Sequence, residues 1–150
     1  MTTVTLNVDE VGPFLESFAS RVEQALDVSL MRAGFVIEGL AKEKCPVDTG
    51  RLRSSVTTAT DRAEGNGVHS VTVGTNVEYA PYIEYGTGIY AENGNGRKTP
   101  WRWVGDSVKW KGGHTTRGSH AYPFLRPALA EGRDDAVEEF AASIAEELQK

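Results

Sequence analysis

A long run of helical periodicity closed by a proline constrains this chain more than any other feature. Leu15, Phe18, Val22, Leu26, Ala33, Ile37, Leu40 and Lys44 follow one another largely at intervals of three or four, and Val11, Phe14, Ala25 and Val36 widen the stripe. The stripe has a gap near Ser29 and Leu30. Asp9 and Glu10, ahead of Pro13, suit a helix N-terminus, where the first amides lack intrahelical partners and the macrodipole favours acids. Pro46 biases Cys45 away from helical angles, so the spacing predicts a helix ending at about Lys44. Gly34 and Gly39 are the expected points of bending. Unbroken, about 32 residues at ~1.5 Å each would span ~48 Å. A compact domain of this length has a radius of gyration of only ~15 Å. Such a helix bends or projects, and a projecting amphipathic helix needs a neighbour to cover it.

The remainder reads as strands, a loop and a second helix. In residues 1–9, Val4, Leu6 and Val8 alternate with polar residues, as an extended arm or edge strand does. Pro46 to Gly50 is a turn. Leu52 to Thr60 and Val68 to Val77 read as two strands joined through Gly65-Asn66-Gly67, a hairpin signal. Residues 86–118 hold 8 of the chain's 16 glycines, so 86–120 is expected to be a flexible insertion, with Trp101 to Val104 and Val108 to Trp110 as short strands inside it. Pro123 to Leu129 opens a last helix with Leu125, Leu129, Val137, Phe140, Ile144 and Leu148 as its apolar stripe and Gly132 as a bend. The resulting expectation is a single α+β domain over 1–150. A long N-terminal helix and a C-terminal helix pack on a small antiparallel sheet, with a long Gly-rich loop or hairpin.

Charge adds a second constraint. The net charge is −5, but it is segregated. Residues 1–50 carry a net −4, residues 51–130 a net +4, and residues 131–150 a net −5. Opposite fields on one small chain favour head-to-tail association of copies or a partner with a matching pattern. The first ten residues show neither a basic nor an apolar signal region, and no apolar stretch approaches the ~20 residues of a membrane span, so assembly in a cytoplasm is expected and no membrane partner. The lone thiol, Cys45, sits at a helix C-terminus, whose partial negative charge opposes the thiolate, and reads as a small apolar cap.

No catalytic constellation emerges, and no metal or other cofactor is expected. His114 and His120 have half of a zinc-finger spacing without the paired cysteines; His69 stands apart. Asp48-Thr49-Gly50 is the triplet of aspartic proteases, which in small dimeric members comes from two chains. Those enzymes place it after an apolar strand, whereas here a helix end precedes it, and a turn fixed by Asp48 and Thr49 accounts for it. Residues 97–126 carry Arg97, Lys98, Arg102, Lys109, Lys111, Arg117 and Arg126 against Asp106 alone, interleaved with Trp101, Trp103 and Trp110. That is the make-up of a sequence-tolerant nucleic-acid groove, the alternative reading. Against it, such a footprint normally dominates a domain's charge, and this chain is acidic overall.

Three blocks carry a resemblance. They are Cys45-Pro-Val-Asp-Thr-Gly-Arg-Leu-Arg-Ser-Ser-Val56, then Val73-Gly-Thr-Asn-Val-Glu-Tyr-Ala-Pro-Tyr-Ile-Glu-Tyr-Gly-Thr-Gly88, then Ala121-Tyr-Pro-Phe-Leu-Arg-Pro-Ala-Leu129. In this order, over about residues 30 to 135, the chain resembles tailed-bacteriophage neck and tail-completion proteins, also described as tail components or head–tail connectors. The resemblance implies a virion structural protein without enzymatic activity, small-molecule substrate or cofactor. It implies a place where the DNA-filled head meets the tail, in a homo-oligomeric ring of sixfold symmetry. Partners would be other copies of the chain, connector or stopper proteins, tail-terminator or tail-tube proteins, and DNA passing through the lumen. Within the blocks, Asp48, Thr49, Gly50, Gly86, Gly88, Pro123 and Pro127 are expected to set turns, and Leu52, Tyr79, Ile83, Phe124 and Leu125 to be core. The candidate interface residues are Arg51, Arg53, Trp101, Trp103, Lys109, Trp110, Lys111 and Arg117.

Overall fold

A computed structural model of the chain describes residues 8–62, 69–105 and 111–149. Its elements are α1 (Val8–Lys44), α2 (Arg51–Ser55), β1 (Thr57–Arg62), β2 (His69–Gly74), α3 (Ala80–Tyr85), a 3₁₀ turn (Gly88–Tyr90), β3 (Trp101–Gly105), β4 (Gly112–Thr116) and α4 (Leu125–Leu148). The fold is α+β, as expected, and the described strands form two two-stranded antiparallel sheets, the small sheet β1-β2 and the hairpin β3-β4 within the Gly-rich segment. Contacts gather the chain into two compact units. One takes in residues up to Ile37, Thr58–Val73 and the chain from Gly132 onward, and the other Glu38–Thr57 and Gly74–Glu131.

In the first unit, α1 and α4 lie antiparallel. Ser29 Oγ donates to Ser143 Oγ at 3.1 Å, and Arg21 reaches the Leu148 carbonyl at 3.4 Å. The side chains buried along these helices are mostly small. Ala25, Ser29 and Ala33 on α1 and Ser143 on α4 are buried, with Ile37 the largest of the α1 set. This corrects the sequence stripe at its centre: Ser29, read there as a gap, is fully buried, while Phe14, Leu15 and Phe18 are exposed. Small residues allow two helices to approach closely, and a serine hydroxyl is tolerated at such a seam once it is hydrogen-bonded. On α4, likewise, Leu129, Val137 and Leu148 are exposed rather than core, and Gly132 is buried in an uninterrupted helix.

Nor is Gly34 a bend. α1 runs through Gly34 and Gly39 without a break, and a Cβ at Gly34 would run into the methyl groups of Thr58 on β1 and Val71 on β2. The glycine is what lets the hairpin lie against the helix. Beside it, His69 Nδ1 sits 2.8 Å from Asp27 Oδ1.

In the second unit the core gathers the end of α1 (Ala41, Cys45), Leu52, Val56, Val77, Ala80 and the start of α4 (Phe124, Ala128). The strand expected from Leu52 begins only at Thr57, because residues 51–55 make a helical turn. Gly50 starts it at φ +82°, and the Ser54 amide donates to the Gly50 carbonyl at 2.9 Å. The Ser54 and Ser55 hydroxyls then donate back to the carbonyls of Arg51 and Leu52. Of the expected core residues here, Leu52 and Phe124 are buried, but Tyr79 is exposed. Residues 1–7 lie outside the described residues, and Val8 and Asp9 already belong to α1.

Candidate assembly interface

Two of the sequence blocks meet at a side chain that sequence reasoning missed. Glu84 on α3 is 3% exposed and points at the N-terminus of α4. Its Oε2 accepts from the amides of Phe124 (2.8 Å) and Leu125 (3.1 Å), and its Oε1 from the amide (3.0 Å) and Nε (3.0 Å) of Arg126. The Arg126 guanidinium also donates to the Glu84 carbonyl, pairs with Glu92 at 2.8 Å, and lies 4.6 Å from the centre of the Tyr85 ring. A helix start leaves amides without partners, and a carboxylate there also meets the favourable end of the dipole. Pro123-Phe124 offers no Ser, Thr, Asp or Asn to cap α4. Glu84 supplies the cap from another segment, and that missing cap was the signal that could have found it. Burial by itself pushes the Glu84 carboxyl up. The three amides and the guanidinium outweigh burial and hold it below the usual carboxylate range. Glu92 and Glu84 in turn push Arg126 up.

The expected turn residues lie around this cluster. Pro123 precedes α4, and Pro127 falls in its first turn, where a missing N–H costs no helix bond. Gly86 and Gly88 take φ +71° and +61°, and a Cβ on Gly88 would collide with the Arg117 carbonyl. That close approach fastens the two ends of the 86–120 segment. Thr87 N donates to Ser119 O (2.9 Å), Ile89 N to Arg117 O (3.0 Å) and Tyr122 N to Ile83 O (2.7 Å). At the other turn, the Arg51 amide donates to Thr49 Oγ1 at 3.4 Å. Asp48 is exposed and follows a helix, not an apolar strand. Arg51 and Arg53 are exposed on α2. Burial pushes the Cys45 thiol up, against a smaller opposing pull from Arg53.

Within the segment, β3 and β4 pair antiparallel, with Trp103 opposite His114 and Val104 opposite Gly113. Alternation gives the hairpin two faces. On one, Trp101 is half-buried with the Arg97 guanidinium 5.7 Å from its ring centre, and Trp103 stacks on His114 at 4.8 Å. On the other, Val104 is 77% exposed, and Arg102 folds over Gly113, where a Cβ would sit 2.6 Å from its Nη2. Lys111 and Arg117 are exposed on the same segment. Lys109 and Trp110 lie outside the described residues.

The three histidines are spread apart in their roles: His69 against Asp27, His114 against Trp103 and His120 stacked on Tyr90 at 4.0 Å. Among the described residues, no group of three or more His, Cys, Asp or Glu is placed to hold a metal ion, and no helix is long and apolar enough to cross a membrane.

The motif residues described above build caps, turns and segment ties within an α+β fold. The chain belongs to the family described as "Bacteriophage HK97-gp10, putative tail-component", whose model matches residues 9–86. The match takes in α1 and the first two sequence blocks up to Gly86 and ends before the third. No curated protein and no solved structure matches the chain at a significant level. As a member of a tail-component family, the chain is a virion-associated structural protein.

Proposed function

We propose that this tail component is a ring-forming connector of the phage neck, a tail-completion protein that joins the tail to the DNA-filled head and has no enzymatic role. Membership of the tail-component family is the observation that carries the reading. Two features of the chain agree with it. Large apolar side chains are exposed in both units, Phe14, Leu15, Phe18 and Val137 in one and Tyr82, Val104 and Tyr122 in the other. The opposite charges of residues 51–130 and 131–150 suit a heterologous interface, in which each copy presents two different surfaces and rotation closes the ring. The ring would be sixfold and stack on connector or stopper proteins on one side and tail-terminator or tail-tube proteins on the other, with DNA passing through its lumen. Removing the chain from the phage that encodes it tests the role. The expected product is DNA-filled heads and separate tails that join when purified chain is added. Normal, infectious particles without the chain would refute it.

A further inference from the structure

We infer that the Arg102/Val104 face of the β3–β4 hairpin docks the solvent face of α4 on a second copy of this chain. The inference rests on the ring reading above and names the two surfaces that would close it. The hairpin face has an uncovered apolar centre, because Val104 has only Gly113 opposite it; the cation Arg102 shares that face, and Lys111 is exposed immediately before β4. The face of α4 that points away from its buried Gly132/Ser143 side is made the same way with the opposite charge. Asp134, Val137, Glu138 and Ala141 follow at helical spacing and are all exposed, Val137 at 61%. Apolar centre would meet apolar centre, and the cations of one copy would meet the carboxylates of the next. Such complementarity fixes register and rejects like-charged partners. The occupant is a copy of this chain because the matching surface is one that every copy carries, and because the two surfaces differ, as a closed ring requires.

Two charge reversals of the full chain test this, read by sedimentation velocity and by circular dichroism as a control on folding. One variant carries Arg102→Glu and Lys111→Glu, and the other Asp134→Lys and Glu138→Lys. All four side chains are exposed, so both variants should fold as the parent does. Like charges now face each other, and each variant alone should associate at least ~100-fold more weakly. An equimolar mixture should restore the ring, with the two variants alternating, and so should a chain carrying all four changes. Parent rings with unaffected variants would overturn the surface assignment and leave the ring reading standing, as would weakened variants that neither mixing nor combination rescues. Equally contrary would be a hairpin variant that still assembles but loses salt-dependent DNA affinity, since that face would then serve nucleic acid. A parent chain that never associates would remove the ring reading and this inference together.

Discussion

Replacing Glu84 tests the physical core of the account, because one carboxylate is held to join α3 to the start of α4. Both of its oxygens accept two hydrogen bonds, from three backbone amides and Arg126 Nε. Glu84→Gln keeps the size but turns one oxygen into an NH₂ group facing donors, so two hydrogen bonds become donor-to-donor contacts. Losing charged hydrogen bonds of this kind costs, at the upper end, about 1.5–3 kcal/mol each, and the loss of the helix cap is part of that same cost. A total near 3 kcal/mol corresponds to a fall in melting temperature of about 6–12 °C for a chain of this length. Glu84→Ala should cost at least as much, with a small cavity added. The effect has a pH signature. The folded carboxyl titrates below its unfolded value, so its stabilisation is complete above the unfolded value of about 4.3 and fades as pH falls through the folded one. The gap between parent and Glu84→Gln in urea midpoint should therefore be full at pH 7 and shrink below about pH 4. A variant within ~0.5 kcal/mol of the parent at pH 7 would refute the cap.

Other consequences follow from single contacts. Ser29→Ala should destabilise by about 1–3 kcal/mol by leaving the Ser143 hydroxyl buried without its partner, whereas Ser29→Ala with Ser143→Ala should recover most of the loss; a denaturant double-mutant cycle reads the difference. Gly88→Ala puts a Cβ at φ +61° against the Arg117 carbonyl and should cost more than ~2 kcal/mol in thermal unfolding, while Gly39→Ala, with nothing near its Cβ, should stabilise α1 by up to ~1 kcal/mol. Buried Cys45, its thiol pushed up, should react with a thiol-labelling reagent at pH 7 at least ~100-fold more slowly in the folded chain than in urea; equal rates would contradict its burial.

The parts of this fold legible in the sequence were those written in local chemistry. The end of α1 at Lys44 follows from Pro46, and the strand at Trp101 follows from alternation of bulky and polar residues. What stayed hidden depended on distant partners. Large side chains mark the helical stripes, yet the residues buried on α1 and α4 include Ala25, Ser29, Ala33 and Ser143, because the close approach of Ser29 to Ser143 rewards small residues, while Leu15 and Val137 are exposed. Leu52 to Ser55 alternate like a strand, but Gly50 at φ +82° and two serine hydroxyls turn them into a helix. The expected strand at Val108 to Trp110 lies outside the described residues, and β4 is not legible because Gly112-Gly113 does not look like strand; Gly113 leaves room for Arg102. Glu84 lies in an aromatic segment and reads as a surface charge until Phe124 and Arg126, some 40 residues on, are brought to it.

The mass of the full-length chain in solution, measured together with images of the same sample, tests the central proposal most directly. The expected result is a discrete closed ring of six copies with an open lumen, weakened by salt because its interface pairs opposite charges. A monomer at every concentration reached, or an open-ended series of aggregates without closure, would contradict it.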